Sequence, residues 1–228
     1  MLVRLLQFAS PMLPIGAFSY SSGLESAIES GDIQDDKSGA QWIGTVLEWN
    51  LARQDGPLAA AAHSAWSALG ATEMAQLQQL NDLAFAIRET AELRLESTQT
   101  GHSLAVWIER TLDPTEHFRD ALESLRPIAY PIAWAAGGVQ LQLSQRDTIL
   151  GMLWGFVENQ ASALMKALPL GQTPAQRMML ALGPRIERAT DEALERSVDI
   201  LQTAAGAMPA LAIASMRHET QYSRLFRS

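Results

Sequence analysis

Metal-binding chemistry would fall first to His63, His102, His117 and His218, because imidazole suits borderline transition-metal ions. The four are scattered along the chain. No Glu-x-x-His pair exists, so the signature of a di-iron bundle is missing, and His-Glu-x-x-His is absent too. Cysteine does not occur, which removes disulfides, thiolate metal sites and thiol nucleophiles together and fits a reducing compartment. Asp32, Asp35 and Asp36 cluster between helices and read as a solvated loop rather than a cation site. No Walker A sequence or Gly-x-Gly-x-x-Gly is present. Without a nucleophile, base and orienting group in a recognisable relation, the chain offers no catalytic residues.

Four other stretches carry unusual residue types. Ser10-Pro11-Met12-Leu13-Pro14-Ile15-Gly16-Ala17-Phe18-Ser19-Tyr20 is a loop stiffened by two prolines and a glycine, yet rich in apolar side chains. It serves either as a buried crossover or as a rigid apolar knob for a partner, with Phe18 and Tyr20 as its aromatic points. Arg88 to Ser97, RETAELRLES, places charges at 88/92 and 92/96. Those spacings describe an exposed helix face, or a polar patch where Arg88, Glu92 and Arg94 meet a neighbour. Lys166-Ala167-Leu168-Pro169-Leu170-Gly171-Gln172 ends an apolar helix at the second of only two lysines. Helix capping by Lys166 and stopping by Pro169 and Gly171 explain every type there except Gln172.

The fourth stretch is RHETQYSRLFRS, residues 217–228. Arg217, His218, Glu219, Tyr222, Arg224, Leu225, Phe226 and Arg227 are candidate partner-binding residues, because arginine beside aromatics is the composition of interface hot spots. Fixing the backbone of these residues costs about 12–24 kcal/mol. Burying Tyr222, Leu225 and Phe226 returns about 1.5–3 kcal/mol each. Unless the helix continues or other packing contributes, the segment is therefore expected to be mobile alone and ordered by a bound partner.

The elements that must position these stretches are helical. Ala, Leu, Gln, Glu and Arg are abundant, and the six valines lie in no alternating run, so the chain reads as all-α, a single-domain helical bundle of ten or more helices over 1–228. Helices are predicted at about 2–10, 22–30, 39–52, 56–69, 72–80, 81–97, 99–111, 115–124, 131–142, 146–167, 173–182, 185–204 and 209–221. Ser22-Gly23-Leu24-Glu25 has the form of a capping box, as has Ser38 with Gln41; Gly31 stops the first of those helices. Pro57, Pro114, Pro174, Pro184 and Pro209 fall near helix starts. Leu80, Leu83, Ala84, Ile87, Ala91, Arg94 and Leu95 keep helical spacing, and so do Leu150, Leu153, Trp154, Val157, Ala161, Leu164 and Met165, which marks the latter helix as central.

Charge and hydropathy exclude further classes. A net charge of −8 argues against a general nucleic-acid surface. The uncharged stretch 127–145, with two prolines and a Gly137-Gly138 pair, reads as a buried helix and not a membrane span. Gln7, Pro11 and Pro14 interrupt the apolar N-terminal stretch, which speaks against a signal peptide and for a cytoplasmic protein.

Taken in order, LPIGAFSYSSGLE, RETAELRLES, LMKALPLGQT and RHETQYSRLFRS resemble the urease accessory protein UreF family, essentially end to end. The resemblance implies an all-helical, homodimeric, cytoplasmic protein with no reaction of its own. It implies binding to UreD (UreH in some organisms), recruitment and regulation of the GTPase UreG, and docking onto apo-urease. Nickel delivery and lysine carbamylation in urease would be assisted by that assembly, with no cofactor held stably by this chain. Arg224 matches a family arginine implicated in ordering the tail and recruiting the GTPase; its expected partner ring falls on Phe18, which lacks the hydroxyl of the tyrosine found in some members. Lys166 matches the lysine before Pro-x-Gly-Gln tied to control of the GTPase. The alternative reading is a direct nickel-binding metallochaperone using His63, His102, His117 or His218.

Overall fold

The computed structural model describes residues 2–203 and 208–228, and among them every regular element is helical. Its centre follows from small residues. Helix α4 (Asp55–Ala68) buries Ala59, Ala60, Ala61, Ala62 and Ala65, and α8 (Tyr130–Gln140) buries Ala133, Ala135, Ala136, Gly137 and Gly138. Alanine loses no side-chain entropy in a helix, and small side chains let two helices approach closely, so α4 and α8 pack along one another. On the other side of α8 lies α6 (Ala91–Thr111). A Cβ at Gly101 would sit 2.2 Å from the carbonyl oxygen of Ile128, so the approach of α6 to the start of α8 requires glycine there.

Around this pair, α9 (Gln145–Ala167) and α10 (Gln172–Arg196) pack together after a short link and both touch α4. Helix α1 (Leu2–Phe8) delivers Phe8, fully buried, whose ring stacks 4.0 Å from that of Trp134. The indole N–H groups of the buried tryptophans are satisfied by carbonyls: Trp66 donates to Ile132 O at 3.1 Å and Trp134 to Thr148 O at 2.8 Å. The stretch 127–145 accordingly supplies a core helix. No helix of the described residues is long and apolar enough to cross a membrane. The remaining helices are α2 (Leu24–Glu29), α3 (Asp36–Val46), α5 (Ala71–Ala86), α7 (Glu116–Ser124), α11 (Ile200–Thr203) and α12 (Pro209–Glu219).

Several boundaries differ from the sequence reading. Helix α5 runs unbroken through the expected boundary at 80–81, whereas the predicted helix 81–97 is split by a break at Arg88–Thr90; its residues 91–97 open α6, which runs through the expected boundary at 97–99. Thr90 has extended backbone (φ −128°, ψ 157°) and its hydroxyl accepts the Leu93 N–H, so it is an N-cap inside a stretch whose apolar spacing looked continuous. The stripe ends with it: Leu80 and Ala84 are buried, whereas Ala91, Arg94 and Leu95 are exposed. Pro184 does not start a helix but lies within α10, where it is exposed and leaves unbonded the carbonyl of Leu180, itself on the solvent side. The predicted end of that helix at residue 204 lies outside the described residues. Helix α3 starts at Asp36, capped reciprocally by Asp35 and Ser38, three residues before the expected Ser38 cap, and passes into a π-helical turn at Leu47–Leu51.

Helix α2 is short and is wedged between α9 and α12. Its N-cap is Gly23 at φ +79°, and a Cβ there would come within 3.3 Å of Ala214 and Leu211 of α12. Both the left-handed backbone and the close approach call for glycine. The Ser22–Glu25 capping box does not form, since this N-cap receives no side-chain hydrogen bond. Glu25 is thereby free for another use.

Candidate functional site

That use is the chain's last residues. Helix α12 ends at Glu219, and residues 224–228, which bend at Leu225 and Phe226, lie along α2 and the loop before it. Glu25 accepts the N–H of Leu225 on Oε1 at 2.7 Å and the N–H of Phe226 on Oε2 at 3.0 Å. The Arg227 N–H donates to Ser19 O at 2.8 Å, and the Ser21 N–H donates to Ser228 O at 3.0 Å, with the Ser21 hydroxyl donating to the same oxygen. The Ser228 hydroxyl donates to Glu96 Oε2 at 2.7 Å, while Ser22 donates to Glu96 Oε1 at 3.0 Å. Burial alternates along it: Phe226 and Ser228 are buried, Leu225 and Arg227 exposed. Lys166 Nζ stands 5.6 Å from the centre of the Phe226 ring, within cation–π range.

The structure shows the segment docked on its own chain rather than projecting free. Counting only three apolar side chains missed the contribution of backbone groups, four of which find partners in one loop and one carboxylate. Each such bond contributes about 0.5–1.5 kcal/mol net, and more where the acceptor is charged.

Beneath the segment lies a buried polar knot. His218, fully buried on α12, has Nε2 3.2 Å from Glu25 Oε2 and Nδ1 2.8 Å from Glu92 Oε2. Arg224 Nη1 reaches Glu92 Oε1 at 3.0 Å, and its Nε donates to Gln221 O at 3.1 Å. Burial raises the Glu96 carboxyl above its ordinary value, against the pull of its two serine hydrogen bonds. A cavity of about 90 Å³ adjoins Ser22 and Glu96; Asp55, Arg88 and Tyr130 reach it, but most of its wall is apolar, from residues such as Val46, Leu93 and Phe156. Burial, with Asp55 and Glu96 adding to it, pushes the Tyr130 phenol far above its usual range.

Of the residues singled out from the sequence, His218, Arg224, Leu225, Phe226 and Arg227 meet in this arrangement, joined by Lys166 and by the carbonyl of Glu219, which accepts from Arg224. The guanidinium of Arg224 pairs with Glu92 rather than with the ring of Phe18, which is 61% exposed. Tyr20 is buried, with its hydroxyl donating to Gln99 Oε1 and its carbonyl held by Asn159 at 3.0 Å. The loop therefore does both things the sequence allowed: Leu13, Ile15 and Tyr20 are buried, while Met12 and Phe18 face outward. Tyr222 and Arg217 are exposed, and Gln172 is exposed as the first residue of α10, outside the hydrogen-bond network of the segment. The histidines do not gather: His63 faces Leu143 O, His102 and His117 are exposed, and among the described residues no group of three or more His, Asp or Glu side chains is arranged to hold a metal ion.

On the receptor side the sequence marked only Glu92, as part of a polar patch that could meet a neighbour; Ser19, Ser21, Glu25 and Glu96 are not singled out as binding residues. One signal was available: Glu92 and Glu96 are like charges four residues apart, which is unfavourable on a free helix face and points to donors arriving from elsewhere. Those donors are His218, Arg224, Ser22 and Ser228.

Comparison with known proteins places this arrangement in context. The chain is 42% identical to the urease accessory protein UreF of Azoarcus sp. (strain BH72), an alignment covering 100% of this chain and 95% of that protein. It is 44% identical to the urease accessory protein UreF of Ectopseudomonas mendocina (strain ymp), over 98% of this chain and 97% of that one. It is 41% identical to the UreF of Cupriavidus taiwanensis, over 100% and 97%. The UreF family model matches residues 33–183, from just before α3 to the middle of α10. The chain belongs to the UreF family of urease accessory proteins.

Proposed function

We propose that the protein is a non-catalytic adaptor of urease maturation. It acts as a cytoplasmic homodimer that binds UreD (or UreH), and the complex recruits and regulates the GTPase UreG on apo-urease. Nickel passes through the assembly as cargo, without stable residence on this chain, while the active-site lysine of urease is carbamylated. The observation that supports this reading best is the docked segment: it turns Leu225, 69% exposed, and Arg227 outward on the surface that also shows Phe18 and Tyr222. Exposed apolar and arginine side chains held on a pre-ordered backbone bind at lower entropic cost than a mobile tail. Lys166 and Gln172, the first on the far side of Phe226, are proposed to act in control of the GTPase.

Co-purification with UreD tests the reading. Removing residues 222–228 leaves α12 and His218 in place and should abolish capture; capture at unchanged affinity would overturn the proposed role of the segment. The metallochaperone alternative gains nothing from the histidine positions. Calorimetric titration of the isolated protein with Ni²⁺ addresses it, with micromolar, histidine-dependent binding as the result in its favour.

A further inference from the structure

Residues 224–228 are held in the way a ligand is held, and we infer that the groove between α2, the loop before it and α6 is a peptide-recognition site in its own right. It should accept a segment of apolar–aromatic–any–serine order, bent at the first two of those residues, supplied in trans. The inference does not depend on UreD or on any other protein using the segment.

Recognition is mostly of main chain. Two consecutive N–H groups go to the two oxygens of one carboxylate, Glu25, and the next N–H goes to Ser19 O. Ser21 binds the Ser228 oxygen through both its N–H and its hydroxyl. Two inward side chains add selectivity: Phe226 enters the core beside Lys166, and the Ser228 hydroxyl meets Glu96. Two consecutive N–H groups converging on one anion is the geometry of a bent backbone rather than of a strand; backbone bonds give affinity and the two inward side chains give specificity.

The receptor is built from parts that do not belong to its ligand. Ser21 Oγ accepts the Glu25 N–H, and the carbonyls of Tyr20 and Ser21 are held by Asn159 and Gln160 of α9 at 3.0 Å each. Glu25 is oriented by His218 of α12, and Glu96 by Ser22. A groove fixed from behind in this way is pre-organised for an incoming segment. The connection to α12, by contrast, is exposed at Thr220, Tyr222 and Ser223, and serves as a tether. A short tether supplies its ligand at an effective concentration on the order of millimolar, so the segment stays docked in cis even if its intrinsic affinity is modest.

The test uses the chain ending at Gln221 as receptor and a fluorescein-labelled peptide of residues 222–228 as probe, read by anisotropy, with circular dichroism confirming the helical fold. Saturable binding is expected, at least tenfold tighter than to the full-length chain, whose own segment fills the groove. A probe carrying Phe226→Ala should bind at least tenfold more weakly, and so should the native probe to a receptor carrying Glu25→Ala. If the shortened chain does not fold, the full-length Phe226→Ala variant, with its own anchor removed, serves as receptor. A folded receptor that fails to bind the probe at millimolar concentration, or binds the Phe226→Ala probe equally well, overturns the inference. Capture of UreD by the full-length chain is measured separately, so either result can fail without the other.

Discussion

Arg88 Nη1 lies 3.2 Å from Asp55 Oδ2 while Nη2 bonds Oδ1, a two-pronged pair that ties the turn between α5 and α6 to the start of α4. Each side chain is only 9% exposed. Burial opposes the charge on Arg88, but the charge and hydrogen bonds of Asp55 outweigh it and raise the guanidinium further above its ordinary value. Asp55 also sits in the first turn of α4, where the helix dipole favours an anion. Substituting Arg88→Ala strands a buried carboxylate and should cost about 3–5 kcal/mol. The double change Arg88→Met with Asp55→Leu removes both charges and should recover most of that loss. Urea unfolding midpoints decide the matter: a single variant no less stable than the double one would refute the assignment of the cost to an uncompensated charge.

The same pair shows where sequence reasoning loses its grip. Residues 80–95 keep helical apolar spacing, and the charges at 88 and 92 have helical separation, so one helix through Arg88 was the economical reading. A single hydroxyl settles it otherwise, because Thr90 can cap the next helix while Arg88 leaves the helical path to reach Asp55. Helix existence was legible because periodicity sums over many residues. Caps and breaks were less so, because Ser22, Ser38 and Thr90 all have capping chemistry and tertiary contacts choose among them. The final segment announced itself through residue types that a free terminus rarely carries. Its receptor did not, since Glu25 and Glu96 look like ordinary helix-surface acids until the fold brings Phe226 and Ser228 to them.

Glu25 is the acceptor on which docking of the segment turns, and amide exchange reads it directly. In the isolated protein the N–H groups of Leu225, Phe226 and Arg227 are all bonded, so they should exchange slowly although they lie beyond the last helix. Glu25→Ala removes two of those acceptors and frees His218 Nε2 as well, and should speed exchange at Leu225 and Phe226 at least tenfold, about 1.4 kcal/mol. The amides of α9 should keep their protection. Fast exchange at these two positions in the unmodified chain would mean that the segment is not docked in solution.

His63 carries the pH dependence that can be assigned with a definite sign. It is 8% exposed on α4, and its Nε2 stands 3.1 Å from Leu143 O. A carbonyl only accepts, so Nε2 carries a proton and donates. Burial lowers its pKa below the ordinary 6.5, and the bond to Leu143 offsets only part of that effect. The unfolded chain therefore takes up a proton near 6.5 while the native one does not. The stabilising contribution is complete above that value, is lost as the pH falls below it, and levels off once the native ring also protonates. The slope from this one group is at most about 1.4 kcal/mol per pH unit. His63→Gln keeps an amide donor for Leu143 O and removes the titration. The other histidines are common to both proteins and cancel, so the stability difference between wild type and variant should shrink steadily from about pH 7 to about pH 5. A difference that stays constant across that range would show that His63 is free to protonate in the native state.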